Sequence, residues 1–510
     1  MISTAIYSLS LCSAAAGVLQ APSNAAPAAP ESARAEPTGA PQRTERVVDL
    51  TIEEAVRSAL TYNPGLAAAT LTAESTEAQI DVALGAFEPV LFATPRVSDS
   101  TTPSASQLAG AQNLERNILH LDTGIRQALP TGGSYSLTFQ TDNERTNNSF
   151  QLLNPQTFST FSISFTQPLL RNAWTGIGRI PQAQAENARD QAAADRERQK
   201  LDLIQQVYNA YWDLVFTFAD RDVRRQSLAL AERLLEINRK KVEQGLLAEV
   251  EIYQAQADVA TRREALLTAE NTIRAAEDAL KQLLFPFDRR SEWSLRLRPT
   301  SLPPAIGSVV VPAWQDAVET ALAARPDLER QRIAIRNLEL DVERARSGVL
   351  PRLDFVATAG DAALAARADQ TIRDLIEVRY PNYSFAVTAE VPLGNLAARA
   401  TERRTLLDAS AARQQLRSLE LQVVREVRDA VRQVAYGEEK VAAATRSREF
   451  AEKQLRAEEL RFEQGLSTNF EVLSLQRDLA QAQTNEQRAI LDYAKAAIAL
   501  DRSKGTLLAP

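Results

Sequence analysis

Residues 50–66 read LTIEEAVRSALTYNPGL, and residues 312–328 read PAWQDAVETALAARPDL. Ala55, Val56, Ala59, Leu60, Pro64 and Leu66 of the first align with Ala317, Val318, Ala321, Leu322, Pro326 and Leu328 of the second. The register continues without a gap to Pro89 and Leu91, which align with Pro351 and Leu353. Further along, FTQPLL at 165–170 corresponds to AEVPLG at 389–394. KVEQGLLAEVEIYQAQADVA at 241–260 corresponds to RFEQGLSTNFEVLSLQRDLA at 461–480. One such match between Ala-rich helices is within chance; four in the same order are not. Ordered self-similarity marks a duplicated architecture. The chain reads as two homologous halves, 50–285 and 312–505, joined by a connector at 286–311 that is rich in proline.

Each half carries the same punctuation. A short helix over about 52–62 ends at Asn63-Pro64, because the residue before a proline is pushed out of the helical region. A second helix runs over about 65–88 and breaks at Pro89. A stretch of strands follows. Residues 182–244 then contain neither Gly nor Pro, which predicts one helix roughly 95 Å long at 1.5 Å per residue. It stops at Gly245, and a return helix of about 60 Å runs back to Pro286. The second half repeats the plan, with an uninterrupted stretch over 396–464 that stops at Gly465. The two shorter helices of each half, laid end to end, match the long one. Helices of this length cannot surround one globular core and must pack side by side. Gly245 and Gly465 are the helix-ending glycines, since glycine takes the left-handed conformation at a helix terminus without cost. Pro89 and Pro351 stand where helix passes to strand, and Pro168 and Pro392 where strand passes to helix; these are architectural positions.

Between the helices the period changes from 3.6 to two. HLDTGIRQA at 120–128, SYSLTFQT at 134–141, TFSTFSISFT at 157–166, residues 353–359 and YSFAVTAEV at 383–391 alternate apolar with polar residues. This pattern predicts strands with one apolar and one polar face. Phe158, Phe161, Ile163 and Phe165 are expected on the apolar side. Phe150, Phe158, Trp174, Tyr380 and Tyr383 near the segment ends suit an interfacial aromatic girdle.

Composition narrows the chemistry. The chain has 510 residues, 45% apolar but only 6% aromatic, with a single His, a single Cys and a single Met. A transition-metal site built from His and Cys cannot be assembled, nor can an intrachain disulfide. Any His-dependent nucleophilic device would rest on His120, which falls in a strand pattern and reads as structural. No Gly-rich phosphate loop or dinucleotide fingerprint is present, and no pair of carboxylates stands out as an acid and base, although carboxylates are plentiful enough to remain possible catalysts. The net charge of −7 disfavours nucleic acid as a partner. The clusters Arg221, Arg224 and Arg225, and Arg403 and Arg404, read as solvated helix faces or ion pairs between protomers.

At the N-terminus, residues 1–20 are small and apolar and read as a signal peptide with an A-x-A-like site near Ala14 and Ala16, although no basic residue precedes Arg34. Leu9-Ser10-Leu11-Cys12 is a poor lipobox because Leu11 is not small. Residues 21–46, rich in Pro and Ala, read as a disordered linker. Beyond them no run of 18 apolar residues occurs, so no transmembrane helix is expected, whereas strands of about 9–11 residues leave a membrane β-barrel open.

Taken together, the repeated LTIEEAVRSALTYNP block, the Q-P-L-L junction and the two E-Q-G-L turns followed by VEIYQAQ and FEVLSLQ resemble the TolC-like outer membrane efflux protein family over residues 50–505. The resemblance implies an α+β fold of mainly long helices. Three protomers would each give four strands to a twelve-stranded outer-membrane barrel, continued by a periplasmic helical barrel. It implies a passive exit duct for small molecules, metals or protein that needs no cofactor and no catalytic residue, with a homotrimer, a periplasmic adaptor, an inner-membrane pump and outer-membrane lipid as partners. It also implies that Gly245, Leu246, Leu247, Gly465, Leu466 and Ser467 form the periplasmic tips that meet the adaptor, and that Glu251 and Glu471 line the constricted entrance. A second acidic ring, one helical turn further on, would fall at Ser474 and is doubtful here. The region between Pro89 and Pro168 is almost twice as long as that between Pro351 and Pro392. It holds an additional hairpin around Thr131-Gly132-Gly133, and the surplus is expected to sit in the extracellular loop or to extend the barrel, without a change in strand count. A periplasmic adaptor or a coiled-coil scaffold is the alternative. An adaptor lacks the tandem duplication, and a scaffold leaves the strands unexplained.

Overall fold

The duplicated helix–helix blocks fold as their caps dictate. In the computed structural model, which describes residues 46–104, 110–286 and 289–507, Thr51 caps helix α1 (Ile52–Tyr62) in a reciprocal box with Glu54. Asn63 ends α1 and opens α2 (Pro64–Gly85), its side-chain oxygen accepting from Gly65 N and Leu66 N. The second half repeats this with α7 (Trp314–Ala324) and α8 (Pro326–Val349). The signal peptide, Cys12 and the linker up to residue 45 lie outside the described residues.

In chain order, β1 (Val47–Leu50) precedes α1 and α2. Then come β2 (Val90–Pro103), β3 (Asn113–Ala128), β4 (Ser134–Thr146) and β5 (Gln156–Pro168). The short α3 (Trp174–Gly178) leads into α4 (Ile180–Glu243), which turns back as α5 (Val250–Leu284). The connector holds α6 (Arg290–Trp293) and β6 (Arg296–Pro299). After α7 and α8 come β7 (Arg352–Ala365), α9 (Ala368–Ile376), β8 (Pro381–Glu390), α10 (Leu396–Glu463) and α11 (Asn469–Lys504). The 64 residues of α4 and the 68 of α10 make rods of ~96 and ~102 Å. Both α2 and α5 pack on α4, and both α8 and α11 on α10, so two shorter helices do cover one long one in each half. Two of the halves' contacts are shared: α4 also packs on α8 and α11. Among the described residues no helix is long and apolar enough to cross a membrane.

The main core sits where α4 passes α1, α5 and the two-stranded parallel sheet of β1 and β6. Tyr211 is fully buried there; its hydroxyl donates to Leu50 O at 2.9 Å and accepts from Thr300 N and Ser301 N. One phenol thereby ties β1 to the far side of the connector, and a proline-rich connector turns out to carry a pairing strand. Elsewhere the helices meet through small residues. Gly437 of α10 approaches Tyr493 of α11 so closely that an added Cβ would lie 3.2 Å from its ring.

The second sheet has six strands in the order β2-β3-β4-β5-β7-β8, all antiparallel neighbours. This corrects the expected four strands per protomer. The surplus between Pro89 and Pro168 is neither loop nor strand extension but a complete pair of strands, β3 and β4. The cause is local: Pro130-Thr131-Gly132-Gly133 closes a tight turn, with Leu129 N donating to Gly133 O at 2.8 Å and Gly132 at φ +80°. A side chain at Gly132 would collide with Asn172 O. Alternation then resumes on both sides of the turn, and β3 and β4 pair along their whole length.

Pairing also fixes the faces. Leu121, Thr141 and Ser159 share one face with Ile125, Leu137, Ile163, Ala359 and Tyr383; His120, Asp142, Gln140 and Thr160 share the other. The first face carries an apolar band: Leu91 and Val97 on β2, Phe139 on β4, Phe161 and Phe165 on β5, Phe385 and Val387 on β8. Phe158 departs from expectation. It pairs with Asp142 and Leu364 on the polar face, because an even-numbered residue in this strand cannot share a face with Phe161. Helix α9 lies on the apolar side of β5 and β7, above the band, where the Thr371 and Ser159 hydroxyls bond at 2.9 Å.

Candidate functional site

Two regions can carry function: the ends of the helical hairpins and the sheet. At the first tip, Gly245 has φ +73°, its N–H donates to Val242 O at 2.9 Å, and Leu246 N reaches back to Lys241 O at 2.8 Å. At the second, Gly465 has φ +76°, with the equivalent bonds to Phe462 O and Arg461 O at 3.1 and 2.9 Å. Both are the six-to-one and five-to-two bonds of a helix stop that needs a left-handed residue. At each glycine the space a side chain would occupy is open. Leu246 and Leu466 project into solvent, 70% and 67% exposed, while Leu247 and Ser467 are half-buried.

The two tips are joined. Asn238 of α4 donates to Asn469 of α11 at 2.9 Å, and Asn469 donates to Glu251 of α5 at 3.1 Å. Lys241 donates to Phe462 O at 2.7 Å and stands over the Phe462 ring. Glu251 is therefore half of a cross-link between hairpins. Glu471 has a different first partner. Its carboxylate accepts from Ser467 Oγ at 2.7 Å and from Thr468 N at 3.2 Å, closing a capping box at the start of α11. The Ser467 hydroxyl, with the Thr468 N–H behind it, holds the Glu471 carboxyl below the usual carboxylate range. The first half lacks this box, since Ala248 stands where the second has Thr468. Both acids are near the tips, but the structure gives each a local partner of its own.

The sequence reading missed the apolar character of the tips. Val250, Tyr253 and Phe470 are all more than half exposed within one or two turns of the glycines. The signal was present as large apolar residues at positions where a polar helix start would be ordinary.

The junction prolines stand where the sequence puts them. Pro89 precedes β2, Pro168 ends β5, Pro351 precedes β7 and Pro392 follows β8. On the polar face of the sheet, His120 Nδ1 lies 2.6 Å from Asp142 Oδ1, and Arg116 forms an ion pair with Glu144, which also accepts from Gln156. Arg221 and Arg224 are engaged by Asp222 and Asp220, as expected of a helix face.

The combination of an amphiphilic sheet with ~100 Å helical hairpins has counterparts. The outer membrane efflux protein family matches residues 317–506. The outer membrane protein TolC of Vibrio cholerae is 25% identical over 350 residues, covering 68% of this chain and 76% of that protein. Among solved structures, the outer-membrane channel OprN superposes with a TM-score of 0.67 at 17% identity, covering 89% of each chain. The Campylobacter jejuni CmeC outer membrane channel gives a TM-score of 0.67 at 15% identity, covering 89% of this chain and 86% of that one. VceC of Vibrio cholerae gives 0.65 at 17% identity, covering 89% and 96%. The fold is thus that of these outer-membrane channel chains, a sheet continued by long helical hairpins. The block that opens each half, the helix stops and the strand–helix junctions all agree with that likeness: this chain is similar to the TolC-like outer membrane efflux protein family, whose model matches its second half.

Proposed function

We propose that three copies of this chain form the passive exit duct of a tripartite export assembly, reaching from the outer membrane to a periplasmic adaptor and, through it, an inner-membrane pump. One observation carries this reading: a single chain joins a sheet with an apolar and a polar face to ~100 Å hairpins that end in exposed apolar tips. Such tips are suited to a helical hairpin partner, since an apolar patch rimmed by polar residues marks a docking surface. The docking residues are Gly245, Leu246, Leu247, Gly465, Leu466 and Ser467, flanked by Val250 and Phe470. Three copies of Glu251 and Glu471 near the tips favour cations at the entrance. The pump supplies the energy, so the duct itself needs no cofactor.

Gly465→Trp tests the docking assignment. Its side chain has room, though a non-glycine residue at φ +76° is strained, so the trimer is expected to assemble in the outer membrane at a modestly reduced level while export falls at least tenfold. Loss of the trimer would make Gly465 a folding residue only, and unimpaired export would remove the tips from the docking surface.

A further inference from the structure

We infer that the outer-membrane barrel of this protein has eighteen strands, closed by pairing β8 of each protomer with β2 of the next, rather than the twelve of a duct with four strands per protomer. The inference rests on the trimeric duct reading and adds the strand number, the closing edges and the width.

The sheet of one chain is open. β2 and β8 are its terminal strands and do not pair with each other. All ten residues of β8 are exposed, and so are all but one of the fourteen in β2. Unpaired edges of that length invite pairing with another strand, and closing the sheet into a barrel removes them. Direction permits closure between copies. β2 leaves α2 and each strand reverses the last, so β8 runs back towards α10, antiparallel to a neighbouring β2. An even number of strands per copy is what this requires, and adding β3 and β4 as a pair preserves it. The faces agree as well. Tyr383, Phe385 and Val387 of β8 lie on the same face as Leu91, Ala93 and Val97 of β2, so odd positions meeting odd positions continue the apolar band round the ring. Pro95 lacks an N–H, so β2 is short of one ladder donor. Pro381 likewise lacks one at the start of β8.

Closure within one chain is ruled out by size. Eight strands leave an interior only wide enough for side chains, and six would bury the charged polar face. Nor are β3 and β4 a plug: they form the second and third strands of a continuous ladder. They contribute His120, Asp122 and Arg126, and Gln140 and Asp142, to the polar face, which keeps the added wall lumenal in character. With strands about 4.8 Å apart and tilted about 40°, eighteen close at a backbone diameter of ~36 Å and twelve at ~24 Å. The membrane part of this duct is therefore about 1.5 times wider, on that geometry, than a twelve-stranded one, and selection by size falls to the periplasmic end.

The test is electron cryo-microscopy of the full-length protein extracted from outer membranes, with disulfide trapping alongside. The expected result is a three-fold ring of eighteen strands. Phe385→Cys combined in turn with Leu91→Cys, Ala93→Cys or Val97→Cys should give, for at least one pair, oxidised dimers and trimers that neither single variant gives. A three-fold ring of twelve strands, with β3 and β4 outside the wall, would overturn the strand count and leave the duct reading intact. Cross-links confined to one chain would overturn the seam. A particle that is not three-fold would overturn the duct reading and this inference together.

Discussion

Glu471 shows how one residue answers to two demands. Its place six residues past Gly465 was legible in the sequence, but its capping box with Thr468 was not read there, although a Thr followed three residues later by Glu is the standard signature. On the proposed entrance role, Glu471→Gln is expected to lower cation selectivity in planar bilayers, and an unchanged reversal potential under a salt gradient would remove it from the entrance. As a cap it stabilises the tip. Its carboxyl is held below the ordinary range by Ser467 and Thr468, so the contribution is present above the unfolded carboxylate pKa and lost as pH falls through the lowered folded value. Acid should therefore fray the start of α11 before the start of α5, which has no box. Thr468→Ala removes the cap at a cost of about 1 kcal/mol, read as faster amide exchange at 469–472 with 250–252 unaffected.

At the scale of elements, helices were the legible part. Neither Gly nor Pro interrupts 182–244 or 396–464, and the rods found there start and stop within two residues of expectation. Strand number was not legible. Period two identifies strands and Thr131-Gly132-Gly133 marks the extra hairpin, but whether its two strands stand in a loop or join the sheet is settled by their pairing with β2 and β5, which no local signal carries. A polar knot at the α7–α8 junction was likewise invisible. Arg325 is buried, grips Asp327 at 2.7 Å and Glu426 at 2.8 Å, and donates to Ser503 O. Burial pushes the Asp327 carboxyl up, but the Arg325 guanidinium and the Leu328 N–H pull harder, and the net shift is downward. This knot is therefore intact above pH ~4 and loosens as acid titrates Asp327 through its lowered value. Arg325→Ala strands two carboxylates and should cost about 3 kcal/mol, seen as roughly hundred-fold faster exchange at the α8 N-terminus. Arg325→Lys should recover little, since one ammonium cannot grip both partners as a fork does.

Over the whole molecule, the duplication fixes two hairpins of equal reach, and the strands between them fix where the hairpins begin. The scarcity of His, Cys, Met and aromatics follows from this shape: thin Ala-rich rods meeting through small residues such as Gly437 have little interior to fill with large ones. The central claim is that one chain crosses the outer membrane at its sheet and reaches deep into the periplasm at its tips. Labelling of single-cysteine variants with a membrane-impermeant maleimide tests it directly. Leu152→Cys, in the loop between β4 and β5 and 96% exposed, is predicted to react on intact cells. Leu466→Cys, at the far end of α10, is predicted to react only after the outer membrane is permeabilised. Equal reactivity of both residues on intact cells, or of neither until permeabilisation, would contradict a chain that spans the membrane in this way.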